Sequence, residues 1–146
     1  MIEINSPDQM YELGVRLGSQ FRSGDLILLN GPLGAGKTLL AQGIGAALGF
    51  EGITSPTFII SRTYLGKPAL IHVDVYRLLQ SDNPNLSLDD LDLDAEREEA
   101  VTVVEWGGSI AARLSEERLE ISIDRRDEAR KVSAIGIGQR WDGFYL

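Results

Sequence analysis

The stretch Gly31-Pro32-Leu33-Gly34-Ala35-Gly36-Lys37-Thr38 decides the fold of this chain, because it matches the phosphate-binding pattern G-x-x-x-x-G-K-[ST]. An apolar run from Leu26 to Leu29 precedes it and is typical of a buried strand. Residues 37–48 have helical character, and Gly49 follows them as a stop signal. A strand, a glycine-rich loop and a helix, in that order, form the context in which this pattern binds phosphate.

The loop predicts a nucleotide site for direct chemical reasons. Glycines lack a Cβ, so the backbone N–H groups of a tight turn can converge on one anion. The N-terminus of the following helix adds partial positive charge at the same place. We expect Lys37 to lie exposed at the loop and to reach the β- and γ-phosphates, and we expect the Thr38 hydroxyl to bind Mg²⁺.

Length and composition are those of one ordinary globular domain. The chain has 146 residues, of which 43% are hydrophobic and 25% charged, and we expect a single phosphate-loop domain over residues 1–146. It has no cysteine, which excludes disulfides and thiolate chemistry. The N-terminal residues do not resemble a secretion signal, so we expect a cytoplasmic location.

The net charge of −8 is concentrated in one segment. Residues 81–99 hold eight acidic residues and one arginine. The segment is either a solvated surface element or a docking face for a basic partner. In both cases we do not expect the chain to bind a nucleic-acid backbone by itself, because such binding needs clustered lysine and arginine side chains.

The remaining pattern predicts an α/β fold: a single-domain P-loop NTPase with a mixed sheet, parallel at its core with added antiparallel strands, and helices packed on it. Ser6 and Pro7 are typical of a helix start, and apolar residues follow at helical spacing. The other expected elements are a hairpin of residues 57–64 and 69–75, a strand at 101–104, a short helix from Ile110, and strands at 119–123 and 131–135 around a turn.

Two acidic residues follow apolar strands, where an acid can order Mg²⁺ or the attacking water. Asp74 follows the strand at 69–73, and Glu105 follows the strand at 101–104. Each could instead be a carboxylate facing solvent, but two acids beside a phosphate loop favour a functional role.

Three further residues have open interpretations. Thr57, in Ser55-Pro56-Thr57-Phe58, could sense the γ-phosphate or belong to a plain turn. Trp106 could shield the site or pack in the core. We expect His72, the only histidine, to be packed in its strand rather than catalytic.

In order and spacing, these blocks resemble the TsaE (YjeE) family. The resemblance rests on the phosphate loop, Ser55-Pro56-Thr57-Phe58, His72-Val73-Asp74-Val75-Tyr76-Arg77-Leu78 and Val104-Glu105-Trp106. It covers nearly the whole chain, and the last two blocks are much more specific than the phosphate loop. The family is the small ATPase of the bacterial machinery that makes threonylcarbamoyladenosine at position 37 of tRNA.

The resemblance implies roles for individual residues. ATP or ADP would be bound by Gly34, Ala35, Gly36, Lys37, Thr38, Leu39, Trp106 and Arg130. Mg²⁺ would lie between Thr38 and Glu105, and Asp74, Lys37 and Thr57 would be catalytic. The implied partners are a TsaD-like threonylcarbamoyltransferase and its TsaB-like companion, with tRNA contacted only indirectly.

Two other functions are compatible with a phosphate loop. One is a small-molecule kinase, although the candidate lid residues Arg125, Arg126 and Arg130 flank a turn rather than lie in a helical lid. The other is a nucleotide-binding module without turnover. For an ATPase we expect slow turnover by the isolated chain, because no motif places an arginine at the γ-phosphate.

Overall fold

The computed structural model describes residues 1–32, 34–53, 61–74, 97–105, 117–125 and 128–146. In these ranges the strands are β1 (Ile2–Ile4), β2 (Leu26–Asn30), β3 (Ser61–Tyr64), β4 (Ala69–Asp74), β5 (Ala100–Glu105), β6 (Arg118–Asp124) and β7 (Arg130–Ile137). The helices are α1 (Pro7–Gly18) and α2 (Lys37–Ala47), and short 3₁₀ turns cover Arg97–Glu99 and Gln139–Trp141. The expected helix from Ile110 and the acidic residues 81–96 lie outside these ranges.

The seven described strands form one mixed sheet in the order β1-β7-β6-β2-β5-β4-β3. The central strands β6, β2, β5 and β4 run parallel to one another. The edges are antiparallel, with β3 paired to β4, β7 to β6 and β1 to β7. The α/β fold with a parallel core and antiparallel additions is therefore confirmed, while β1 was not expected.

Helix α1 begins where the sequence predicted. The Ser6 hydroxyl accepts a hydrogen bond from the Gln9 N–H at 3.2 Å, and the Gln9 side chain accepts one from the Asn5 N–H at 2.7 Å. These bonds satisfy donors that a helix start would otherwise leave unpaired. Met10, Leu13 and Leu17 point into the core.

The two helices pack backbone against backbone, which fixes α2 and the loop before it. A Cβ built on Gly43 of α2 would lie 2.1 Å from the Tyr11 carbonyl oxygen and 2.9 Å from the Cα of Gly14. A Cβ on Gly14 would lie 2.3 Å from the Leu40 carbonyl oxygen. Only residues without a side chain allow this approach, so glycines set the position of α2 relative to α1.

An ion pair anchors β2 at the end remote from the phosphate loop. The buried Asp25 carboxylate accepts two hydrogen bonds from the Arg140 guanidinium, both of 2.9 Å. The same carboxylate accepts from the Arg22 N–H at 2.8 Å. Bidentate pairs of this kind are strong and directional, so the start of β2 is tied to the C-terminal segment.

Candidate active site

The phosphate loop joins the end of β2 to the start of α2, as the sequence predicted. Gly34 and Gly36 have φ angles of 77° and 114°, which side-chain-bearing residues rarely adopt. The Ala35 N–H donates to the Pro32 carbonyl at 3.1 Å and closes a turn within the loop. Gly36 is the N-cap of α2 and offers no side chain to its first N–H groups, which leaves the helix start shaped for an anion.

The expectation that Lys37 lies exposed is wrong. Its side chain is buried, with 5% of the residue accessible, and Nζ donates to the carbonyl oxygens of Gly31 at 2.7 Å and Pro32 at 3.0 Å. The loop surrounds the ammonium group, because the carbonyl oxygens of Gly31 and Pro32 at its start accept hydrogen bonds from the lysine near its end. The lysine is thus held at the centre of the loop rather than on its surface.

Strands β2, β5 and β4 bring the two predicted acids to one edge of the sheet. Glu105, the last residue of β5, is in register with Leu29 of β2 and with Asp74 of β4. Because the three strands are parallel, their carboxyl ends meet where β2 leads into the phosphate loop. The backbone of Asp74 therefore adjoins that of Glu105, while the Asp74 side chain lies outside the described part.

Glu105 is paired with the only histidine of the chain. His72 Nε2 and Glu105 Oε2 are 2.5 Å apart, and both side chains are buried. His72 is packed within β4, as expected, but its contact with a site carboxylate was not foreseen. The two residues are 33 positions apart in the sequence, and only the register of β4 and β5 brings them together.

A cavity of about 260 Å³ opens beside the loop, close to the lower end of the sizes typical of ligand sites, roughly 300 Å³. Its walls are mostly apolar, with a few polar groups among them. The lining residues are Ile4, Asn5, Ser6, Pro7, Met10, Gly34, Ala35, Gly36, Leu39, Glu128 and Arg130. The cavity brings together four predicted nucleotide-binding residues, Gly34, Ala35, Gly36 and Leu39, with the more distant Arg130.

A second arginine contacts the loop directly. Arg125 follows β6, and its Nη1 lies 2.6 Å from the position that a Cβ on Gly34 would occupy. Arg125 and Arg130 lie at the two ends of the connection between β6 and β7, and Arg126 lies outside the described residues. Arg125 is therefore a cation at the site that no motif in the sequence indicated.

The residues fit a magnesium ion only if phosphate oxygens complete its coordination. Thr38 lies half-buried in the first turn of α2, and Glu105 ends a nearby strand. Among the described residues, no group of three or more histidine, cysteine or acidic side chains could hold a metal ion. Mg²⁺ commonly takes one or two protein ligands together with substrate phosphates, which agrees with this sparse set.

Two predicted site residues, Thr57 and Trp106, lie outside the described residues. In the part of the chain that the structure describes, no helix has the length and apolar character needed to span a bilayer.

Comparison with known proteins identifies relatives along most of the chain. The model of a family described as threonylcarbamoyl adenosine biosynthesis protein TsaE matches residues 4–132. A protein of Mycobacterium tuberculosis named tRNA threonylcarbamoyladenosine biosynthesis protein TsaE is 52% identical over 120 residues, covering 77% of this chain and 71% of its own. Proteins with the same name are 48% identical over 141 residues in Streptomyces coelicolor (90% and 93% coverage) and 34% identical over 140 in Bacillus subtilis (94% and 85%).

A solved structure also matches. The crystal structure of Bacillus subtilis YdiB superposes with a TM-score of 0.76 and 31% sequence identity. The match covers 97% of this chain and 87% of that one.

Proposed function

This chain belongs to the TsaE family of threonylcarbamoyladenosine biosynthesis proteins, and from that premise we propose that it is a Mg²⁺-dependent ATPase. In this proposal it acts in the cytoplasm as a subunit of the machinery that threonylcarbamoylates adenosine 37 of tRNA. Its turnover regulates or resets a TsaD-like transferase and its TsaB-like companion. It contacts tRNA only through these partners.

The observation that carries the proposal is the register of β2, β4 and β5 at the phosphate loop. It aligns Asp74 and Glu105 beside the strand that leads into the loop. A phosphate loop alone binds, whereas hydrolysis also needs an acid that orders a metal or a water. The alignment supports an enzyme rather than a passive binding module.

The cavity beside the loop offers a place for the nucleoside. It begins at Gly34 to Gly36, where the phosphates would bind, and extends between the start of α1 and Arg130. Apolar walls formed by Pro7, Met10 and Leu39 suit a flat base, and polar groups at its margin suit a ribose. Phosphates and base would then lie on one continuous surface.

The chemistry of the site follows from these positions. Thr38 and Glu105 would hold Mg²⁺, which would supply positive charge against the nucleotide phosphates when bound. Lys37 would exchange its bonds to Gly31 and Pro32 for phosphate oxygens, so nucleotide binding would reshape the loop. Asp74 would orient the attacking water, and Arg125 would add positive charge from the far side of Gly34.

Nucleotide binding with and without Mg²⁺, combined with phosphate release, tests this proposal. Calorimetry should show ATP and ADP binding more tightly with Mg²⁺ than with a chelator, and phosphate release should be slow but measurable. A screen of nucleoside and metabolite acceptors should yield no phosphorylated product. Phosphorylated acceptor would favour a kinase, and binding without any phosphate release, even with partners present, would favour a non-hydrolysing module.

A further inference from the structure

We propose that His72 is a positioning residue for Glu105: its imidazole holds one carboxylate oxygen and thereby fixes the orientation in which the carboxylate meets Mg²⁺. This inference rests on the proposed function, because it assigns Glu105 to the metal. It adds a residue that supports the magnesium site without touching the ion.

The geometry places the imidazole and the carboxylate side by side. His72 is in register with Val103, two residues before Glu105, so its side chain shares a sheet face with the glutamate. Nε2 and Oε2 are 2.5 Å apart, with 1% of the histidine side chain and 6% of the glutamate side chain accessible. An ionised carboxylate can only accept hydrogen bonds, so the imidazole donates from Nε2.

The rest of the imidazole gives no other reason for a histidine at this position. Nδ1 is buried and has no hydrogen-bond partner among the described residues. A buried polar atom without a partner costs free energy that an apolar side chain of similar size would avoid. Among the described residues, the only polar contact of the ring is therefore the one from Nε2 to Glu105, and Nδ1 stays unpaired.

Holding one oxygen has a direct consequence for metal binding. A carboxylate has about four lone-pair positions on its two oxygens, so the histidine bond is compatible with a cation on the same group. Groups that orient a ligand in this way typically change metal affinity 10- to 100-fold when they are removed. The Mg²⁺ site should depend on His72 to a similar extent.

The test compares His72→Leu and His72→Gln with Thr102→Val. The amide nitrogen of glutamine is as many bonds from Cα as Nε2 of histidine is. Glutamine can therefore restore the hydrogen-bond donor, whereas leucine cannot. Thr102 is a matched control: it lies on β5, is fully buried, and its hydroxyl has no partner among the described residues. Each variant is titrated with Mg²⁺ in its ADP complex, and its ADP affinity with excess chelator is measured alongside.

We expect His72→Leu to need 10- to 100-fold more Mg²⁺ for the same gain in ADP affinity, with ADP affinity in chelator unchanged. His72→Gln should recover most of this loss, and Thr102→Val should behave as wild type. Wild-type Mg²⁺ dependence in His72→Leu would overturn the inference. Glu105→Ala separates the two proposals: if it also keeps wild-type Mg²⁺ dependence, the assignment of Glu105 to the metal fails as well.

A second measurement needs no substitution at His72. Because the chain has one histidine, its imidazole ¹⁵N signals can be assigned without ambiguity. The Nε2 signal should shift when Mg²⁺ is added to the ADP complex and should not shift in Glu105→Ala. An unchanged Nε2 signal on addition of Mg²⁺ to the wild-type complex would overturn the inference even if His72→Leu failed to fold.

Discussion

The ammonium nitrogen of Lys37 lies 2.7 Å from the carbonyl oxygen of Gly31, so the last part of the phosphate loop is bonded to its first residue. This bond and its neighbour to Pro32 stabilise the loop from within. Any phosphate that engages the lysine has to compete with these carbonyls. Binding of nucleotide and the conformation of the loop are therefore coupled through one side chain.

Lys37→Ala should strongly weaken nucleotide binding while the protein stays folded. A charge-assisted bond to phosphate contributes about 1.5–3 kcal/mol, so affinity should fall roughly ten- to a hundredfold or more. Because the ammonium also satisfies two loop carbonyls, unfolding should become easier by about 1–3 kcal/mol. Calorimetry with ATP and denaturant unfolding measure the two effects. Lys67→Ala, in the exposed turn between β3 and β4, is the control. Near-wild-type ATP affinity in Lys37→Ala would show that Lys37 does not bind the phosphates.

Glu105→Gln should spare most ADP binding in chelator and strongly reduce turnover. The amide keeps the shape of the side chain but removes the charge that a magnesium ion requires. Glu51→Gln, at an exposed position beyond α2, controls for the general loss of an acid. A Mg²⁺–nucleotide complex in which Glu105 contacts the metal neither directly nor through water would contradict the assignment.

Arg125→Ala should weaken ATP binding about tenfold, the effect of losing one charge-assisted contact of about 1.5 kcal/mol. We expect this contact because the Arg125 guanidinium lies against Gly34 in the phosphate loop. Arg16→Ala on α1 removes the same charge away from the described loop contacts and should leave affinity unchanged. Equal affinities in both variants would show that Arg125 acts on the loop alone and not on the phosphates.

Gly43→Ala should destabilise the protein by roughly 1–3 kcal/mol, the usual cost of overpacking. At a helical position with free space around it, the same substitution would instead stabilise the protein by about 1 kcal/mol, because alanine is a better helix former than glycine. The new methyl group would lie 2.1 Å from the Tyr11 carbonyl oxygen and would push α2 away from α1. Denaturant unfolding measures the change, and increased stability would contradict the described helix crossing.

The sequence was sufficient for the features that depend on local pattern. The phosphate loop, the start of α1 at Ser6 and the central strands all follow from residues close together in the chain. The β1 strand was not predicted, because three residues are too few to show an alternating pattern.

The features that sequence reasoning missed depend on contacts between distant segments. The burial of Lys37 results from its hydrogen bonds to the carbonyls of Gly31 and Pro32, which the motif does not specify. The pairing of His72 with Glu105 requires the register of two strands, and the contact of Arg125 with Gly34 joins segments 91 positions apart in the sequence. No periodicity in the sequence signals such contacts.

ATP turnover measured with Mg²⁺, for the chain alone and after addition of its TsaD- and TsaB-like partners, tests the central claim most directly. Phosphoryl transfer depends on positioning and on neutralising charge, and an arginine supplied by a partner is worth roughly 10³–10⁵ in rate in GTPases. No motif in this chain places an arginine at the γ-phosphate, so we predict slow turnover alone and a marked acceleration with the partners. Fast turnover by the chain alone, unchanged when the partners are added, would contradict the account of a regulated subunit.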